Sequence, residues 1–303
     1  MKTDPESRGG PLAPGLYLVA TPIGNLEDIT LRALRILRSV DRIACEDTRQ
    51  TQKLLNHYGI RTPTVSYHMH NEAGRAAELA AELQAGARIA VVSDAGTPGI
   101  ADPGGQIAAA AIAAGVPVFP VPGANAAISA LIASGLAGQA GENAFTFHGF
   151  LPAKEGQRKT ALEALRGNGE NRGTQVFYEA THRILETLAD LEAIFGPAQH
   201  VVVARELTKL HEEFLRGPVG EVRGALAGRA SVRGEIVLLF APAEVSAAAE
   251  TASVAGEVRA LMRQEGIAEM DALKRVARAR GMGKSEAYRE LQRERDRSPG
   301  RPR

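Results

Sequence analysis

The sequence predicts an α/β protein made of two α/β domains followed by a small helical module, and three observations carry that reading. Between residues 16 and 121, short apolar and β-branched runs alternate with longer helical patterns, as expected for parallel strands joined by crossover helices. From Ala144 the pattern restarts, but here some strand-like runs follow one another directly, which calls for a second sheet, mixed or antiparallel. Beyond an Ala/Glu/Ser-rich stretch, three short helical patterns end the chain. The expected divisions are a disordered leader over 1–14, domains over 15–122 and 123–242, a linker over 243–256, the helical module over 257–293 and a basic tail over 294–303.

Composition removes several classes. At 44% hydrophobic and 23% charged residues in 303, the chain reads as a soluble globular protein. With no Trp and 4% aromatics, its core must be built from Ala, Val, Leu and Ile. The longest apolar runs, such as 107–114, are too short to span a bilayer, and the start MKTDPESRGGPLAP lacks the apolar segment of a signal peptide. No membrane association and a cytoplasmic location are therefore expected. A single cysteine, Cys45, excludes an intramolecular disulfide framework and a multi-cysteine zinc site. The net charge of +1 hides an asymmetry, because residues 253–303 hold thirteen Lys and Arg against eight Asp and Glu.

Taken in order, residues 16–20 (LYLVA) form a first strand, and the loop 21–25 leads to a helix that Thr30 caps. That loop holds one glycine, so neither the G-x-G-x-x-G fingerprint nor a Walker phosphate loop is present, and neither NAD nor ATP is favoured. A second strand, 42–45, runs into Glu46, Asp47, Thr48 and Arg49. Asp47 or Thr48 suits an N-cap, while Arg49 opposes the helix dipole in the first turn and suggests an outside anionic partner. The third strand, 64–67, ends at His68, Met69, His70, Asn71 and Glu72. No third ligand stands near this His-x-His, so contact with a substrate is the better functional reading and no metal is expected.

The centre of the first half is RIAVVSDAGTPGIADPGG, residues 88–105. A strand over 88–93 gives way to a loop with four glycines and two prolines in ten residues, where the backbone can approach a ligand closely. Asp102 and Pro103 read as the N-cap and first residue of a helix over 106–114. A fifth strand over 116–121 precedes PGANAA, which opens a helix of small residues with free N–H groups. Two such loops facing one crevice describe a small-molecule site at the carboxyl ends of parallel strands.

In the second half, strands are expected over 145–147, 174–178, 201–204, 212–216 and 236–240, with a loop over 148–154 and helices over 157–165 and from Arg183 to Ile194. Polar clusters follow two of the strands, Glu179-Ala180-Thr181-His182-Arg183 and Arg205-Glu206-Leu207-Thr208-Lys209. The terminal patterns, 258–264, 270–280 and 284–293, have the rhythm of a helix-turn-helix bundle, suited to nucleic acid or to packing and dimerisation.

The segments TPIGNLEDIT, EDTRQTQKLL, SDAGTPGIADPG, PVPGANAAISAL, FYEATHR, ARELTKLHEE and GEIVLLF occur in this order. Together they resemble the tetrapyrrole methylase superfamily, in its branch of bacterial 16S rRNA (cytidine-2'-O)-methyltransferases. The resemblance implies S-adenosylmethionine in a cleft between two α/β domains, a homodimer, and 2'-O-methylation of a cytidine in the decoding region of 16S rRNA within the small ribosomal subunit. Methylation of a tetrapyrrole carbon, and binding of S-adenosylmethionine or RNA without turnover, are the alternatives.

By position, Gly96-Thr97-Pro98 stands where superfamily relatives have Gly-Asp-Pro, so an acid there is missing and Asp94 is the nearest substitute. Pro22, Pro122, Ala124 and Gly234 match the other cofactor motifs, and the adenine and methionine portions are expected among Asp94, Ile100, Ala126, Phe177, Leu207 and Ile236. Candidates to take the hydroxyl proton are Asp47, Glu72, His182, Glu206 and Lys209, with Lys209 and Glu206 preferred. Arg49 and Arg183 suit flanking phosphates, and His70, Glu72 and His182 suit other substrate contacts.

Overall fold

The computed structural model describes residues 10–68, 72–137, 144–167, 173–242 and 254–296. Five strands, β1 (Gly15–Val19), β2 (Arg42–Cys45), β3 (Thr64–Ser66), β4 (Arg88–Val92) and β5 (Val118–Val121), form a first sheet. All its pairings are parallel and its order is β3-β2-β4-β1-β5. These strands show no polar alternation because helices cover both faces. On one face α1 (Leu31–Ser39) and α2 (Thr48–His57) pack on Tyr17, Val19 and Ile43. On the other, α3 (Glu72–Gln84) and α4 (Gly105–Ala113) pack on Leu16, Ile89 and Val91.

Local chemistry sets the helix starts. Thr30 accepts the Ala33 N–H at 3.0 Å to cap α1, and Asp47 accepts the Arg49 N–H at 2.8 Å to cap α2. Asp102 does not cap α4. The chain turns once more after it, and Gly104 occupies the cap position with no side-chain hydrogen bond. Leu12 is also not part of a loose leader, since it is buried in the core beside α1, and Ala13 accepts the Tyr17 hydroxyl at 2.7 Å. Residues 1–9 of that leader lie outside the described residues.

The second sheet holds β6 (Phe145–Phe150), β7 (Thr174–Glu179), β8 (His200–Arg205), β9 (Glu213–Pro218) and β10 (Ile236–Phe240) in the order β6-β7-β10-β8-β9. It is mixed: β6 and β7 are parallel, while β10 pairs antiparallel with β7 and β8, and β9 closes an antiparallel hairpin on β8. A register shift between Phe147 and Phe150 carries β6 three residues into the stretch expected to be loop.

Helix α5 (Ala126–Ser134) packs on one face of this sheet, against Val176, Val202 and Val237. Helices α6 (Glu155–Gly167), α7 (Ile184–Phe195) and α8 (Val219–Ala227) cover the other, against Phe177, Leu238 and Phe240. The sequence reading did not anticipate α8. The terminal helices α9 (Val254–Glu265), α10 (Glu269–Ala279) and α11 (Lys284–Asp296) share a separate core that includes Val258, Leu273, Val276 and Leu291. The first of them begins at Val254, inside the stretch read as linker. Among the described residues, no helix is long and apolar enough to cross a membrane.

Candidate active site

Strands β1 and β4 pair in parallel, with Leu18 opposite Val91, so the loops at their carboxyl ends emerge side by side. The backbones of Thr21 and Gly96 exchange hydrogen bonds at 2.9 and 3.1 Å. The Ser93 hydroxyl donates to Gly96 O at 2.9 Å, and the Thr21 hydroxyl donates to Ser93 O at 3.1 Å. Thr97 then donates to Ala124 O at 3.1 Å, which ties the turn before α5 to the same loop. A glycine-rich segment that would otherwise be mobile is fixed on three sides.

Between this braced loop and the second sheet lies a cavity of about 470 Å³. Its first wall is Ile23, Asp94, Gly96, Thr97, Ile100 and Ala126. The opposite wall comes from the end of β7, the turn after β8 and the start of β10, with Tyr178, Glu179, Leu207, Gly234, Glu235 and Ile236. Eight of the residues read as cofactor contacts thus share one cavity: Asp94, Gly96, Thr97, Ile100, Ala126, Leu207, Gly234 and Ile236.

Phe177 is not on that wall. Successive side chains of a strand point to opposite faces, and Phe177 is buried under the α6–α8 layer, stacked on His148 with centroids 4.6 Å apart. Its neighbour Tyr178 takes the place facing the cavity. Pro22, Pro122 and Ala124 also stay off the lining. Pro22 is buried, Pro122 is exposed, and Ala124 acts through the carbonyl that receives Thr97.

The preferred catalytic pair lies beside the cavity rather than on its wall. Glu206 and Thr208 adopt left-handed backbone conformations, with φ of 53° and 65°, in a turn that brings Lys209 back over Glu206. Lys209 Nζ donates to Glu206 Oε1 at 2.8 Å and to Glu235 Oε2 at 3.0 Å, and Glu206 also accepts the Glu235 N–H at 3.1 Å. Hydrogen bonding from Lys209 holds the Glu206 carboxyl below its ordinary range. Burial works to lower the Lys209 ammonium, but its bonds to Glu206 and Glu235 prevail and hold it above its ordinary value. Neither group is a free base.

The other predicted residues that the structure describes are not on the cavity wall. Asp47 is occupied as the α2 cap, and Arg49, with 88% of its side chain exposed, leans back on it at 3.4 Å. His182 is exposed in the turn before α7, whereas Arg183 folds inward onto buried Glu179 at 2.9 Å. His70 lies outside the described residues, and Glu72 is described only as the first residue of α3.

Sequence reasoning missed Asp102, Tyr178 and Glu179 as cavity residues, whereas Glu235, matched with Gly234 to the cofactor-side strand, does line the cavity. Asp102 was assigned to a helix cap, and only the pairing of the sheets brings it near the others. Burial, followed by the like charges of Glu46, Asp94 and Glu235, pushes its carboxyl up to about 6. Among the described residues, no three His, Cys, Asp or Glu side chains converge in a way that would hold a metal ion.

Comparison with known proteins agrees with this architecture. The family described as Tetrapyrrole (Corrin/Porphyrin) Methylases matches residues 15–223. A Halalkalibacterium halodurans protein named ribosomal RNA small subunit methyltransferase I is 46% identical over 280 residues, 90% of this chain and 93% of that one. The Bacillus subtilis protein of the same name is 50% identical over 224 residues, 74% of each chain. Among solved structures, uroporphyrin-III-C-methyltransferase of Thermus thermophilus shares the fold with a TM-score of 0.53 and 24% identity, over 75% of this chain and 94% of that one. Diphthine synthase shares it with a TM-score of 0.55 and 14% identity, over 75% and 89%. Two sheets enclosing one cavity, with identity sustained across both, show that this chain belongs to the ribosomal RNA small subunit methyltransferase I family of the tetrapyrrole methylases.

Proposed function

We propose that this protein uses S-adenosylmethionine to methylate the 2'-hydroxyl of a cytidine in the decoding region of 16S rRNA. On this reading it acts on the small ribosomal subunit, as a homodimer in the cytoplasm. The observation that carries the proposal is the 46% identity, over 90% of the chain, to a protein named for methylation of small-subunit rRNA. Seating of α5 on the second sheet supports dividing the chain after Pro122, so that the cavity lies between domains 15–122 and 123–242.

The residues present fit such a cofactor. A volume of about 470 Å³ is in the range of ordinary cofactor sites, and the wall combines apolar surface with carboxylates suited to a cationic ligand. Ile23, Ile100, Leu207 and Ile236 would hold the adenine and exclude water, and the braced backbone at Gly96 and Thr97 would fix the remainder. When bound, S-adenosylmethionine supplies a methyl group already activated on a sulfonium. The chain's task is then to align that methyl with the ribose oxygen and to accept a proton. The Lys209–Glu206–Glu235 bridge holds the turn after β8 against the start of β10. Exposed Arg49 and His182 are available to RNA, whereas Arg183 serves to hold Glu179.

The test is transfer of labelled methyl from S-adenosylmethionine to undermethylated 30S subunits, with protein-free 16S rRNA and a precorrin-type tetrapyrrole in parallel. Label in a single alkali- and nuclease-resistant dinucleotide from 30S is the expected result. Label confined to the tetrapyrrole, or bound cofactor with no transfer, defeats the proposal.

A further inference from the structure

Strand β6 is irregular at the point where it reaches the cavity. Phe147 pairs with Val176 and Phe150 with Tyr178, so β6 advances three residues where β7 advances two, and His148 and Gly149 together stand opposite Phe177. Gly149 has a left-handed φ of 66°. Among the described residues, nothing beyond its own neighbours in the chain lies within 4 Å of the position a Cβ would take, so the bulge rather than crowding calls for glycine. The bulge changes where Phe150 points. In an unbroken strand Phe147 and Phe150 would face opposite sides of the sheet, with Phe150 toward the α6–α8 layer. Here both rings meet Tyr178 edge to face, with centroids 4.9 and 5.7 Å away.

The result is an aromatic ring on the cavity wall that stays 57% exposed. Burial is the ordinary state of phenylalanine, so a ring turned into a site by a bulge and left in water marks a surface built for an apolar ligand group. Its surroundings are fixed. Tyr178, half-buried behind it, has its hydroxyl bound by the Ala127 N–H in the first turn of α5. Arg183 donates to Leu151 O at 3.4 Å, tying the chain that follows β6 to the turn after β7. The branched apolar side chains of the wall, Ile23, Ile100, Leu207, Ile236 and Val237, are aliphatic and come from other elements.

We propose that Phe150 is the platform on which the base of the methylated nucleotide stacks. The inference rests on the reading that this chain methylates a ribose in RNA. A ribose whose 2'-oxygen reaches the cavity brings its own base with it, and that base gives up contacts with its neighbours in the strand. Proteins that bind single-stranded RNA replace such contacts with aromatic side chains. Every base has a π-face, so Phe150 contributes affinity and position rather than the choice of base. Stacking also fixes the plane of the base, and through it the ribose orientation on which in-line attack depends. An interface between two copies of this chain is the competing way to cover an exposed ring. The bulge favours the substrate, because it turns Phe150 toward a cavity that the exposed Phe145, at the other end of the same strand, does not line.

The experiment compares wild-type protein with Phe150→Ala, Phe150→Leu, Phe150→Tyr and Phe145→Ala. Methyl transfer to subsaturating undermethylated 30S subunits gives kcat/KM, calorimetry gives affinity for S-adenosylmethionine, and light scattering gives the mass in solution. We expect kcat/KM to fall about 10–100-fold in Phe150→Ala and nearly as far in Phe150→Leu, which is apolar but has no π-face, while Phe150→Tyr stays within about three-fold of wild type. Cofactor affinity should stay within about two-fold in every variant, a difference well under 1.4 kcal/mol. Mass should not change, and Phe145→Ala should transfer at the wild-type rate. An unchanged kcat/KM in Phe150→Ala overturns the assignment. So does full activity in Phe150→Leu, which would make the ring an apolar filler. A loss of cofactor affinity equal to the loss of kcat/KM would make Phe150 a cofactor contact, and a changed mass would make it an interface between copies; either result overturns the assignment. Where Phe150→Ala fails to fold, the contrast between Leu and Tyr decides. If wild-type protein transfers methyl to no RNA, the proposed function falls and this inference falls with it. Equal transfer by wild type and Phe150→Ala removes only the inference.

Discussion

The backbone N–H of Asn25 donates to the Thr208 hydroxyl at 3.1 Å, joining the loop after β1 to the turn after β8, each of which gives a residue, Ile23 and Leu207, to the cavity wall. Next to it, Gly24 passes directly under the Lys209 stem, where an added Cβ would collide with it. Gly24→Ala should therefore push Lys209 off Glu206 and Glu235. Calorimetry should show a roughly tenfold loss of affinity for S-adenosylmethionine, about 1.4 kcal/mol, with a similar loss in Lys209→Met. Unchanged affinity in both variants would remove the Lys209 bridge from the construction of the site.

Gly234 is constrained from the opposite side. Its φ of 96° is a left-handed conformation, and a Cβ there would run into the Glu206 carboxyl group. Gly234→Ala should lower stability by about 1–3 kcal/mol. Denaturant melts of the free protein provide the check, and an unaltered midpoint would contradict it.

Arg158 and Asp190 form an ion pair at 2.7 Å between α6 and α7, with side chains only 2% and 8% exposed. Removing one partner strands the other, so Arg158→Met should cost about 3–5 kcal/mol. The double variant Arg158→Met, Asp190→Leu should recover much of that loss, because the pair's desolvation disappears with it. Urea unfolding of the single and double variants decides the matter, and equal losses in both would show that packing rather than charge is at stake.

Two carboxyls give stability opposite pH dependences. Hydrogen bonding to Arg229, and then to Arg205, holds the Glu213 carboxyl down to about 2, so its contribution is present above the ordinary value of 4.5 and is lost as pH falls toward 2. Glu213→Gln should flatten the acid limb of a melting-temperature profile. Burial holds Asp102 up to about 6, so the stability linked to it is full below 3.8 and is lost as pH rises through 6. Asp102→Asn should then melt above wild type at pH 8, with the gap closing toward pH 4. A gap independent of pH would rule out ionisation as its source.

Much of the first sheet could be read from residues because its strands are continuous apolar runs with Thr30 and Asp47 at the helix starts that follow. The second sheet was legible in kind but less so in extent. Helix α8 hides in VGEVRGALA, where two glycines and short apolar spacing weaken the periodic signal, and it is stabilised by packing Val219, Val222 and Leu226 on a sheet still incomplete at that point. Phe177 and Tyr178 differ only in strand parity, which tertiary packing decides. The charged residues after β8 were visible as a cluster, but the bridge from Lys209 to a second carboxylate was not, because Glu235 arrives from 26 residues beyond it. Asp102 was misread for a related reason: Asp-Pro is a strong local capping signal, and the conformation of Gly104 overrides it.

Each sheet draws all its strands from one unbroken stretch, residues 15–121 for the first and 145–240 for the second. During synthesis the N-terminal sheet is therefore complete before the C-terminal one begins, and it can form as soon as it leaves the ribosome. The cavity follows a different schedule. Its last wall, Gly234 to Val237, is made only after every other lining residue, and β10, which starts there, is the central strand of the second sheet. A nascent or truncated chain that stops before residue 234 would carry every strand of the first sheet and yet no closed pocket. Competence to bind the methyl donor thus arrives late and all at once, as a mark that the two-sheet body has been finished.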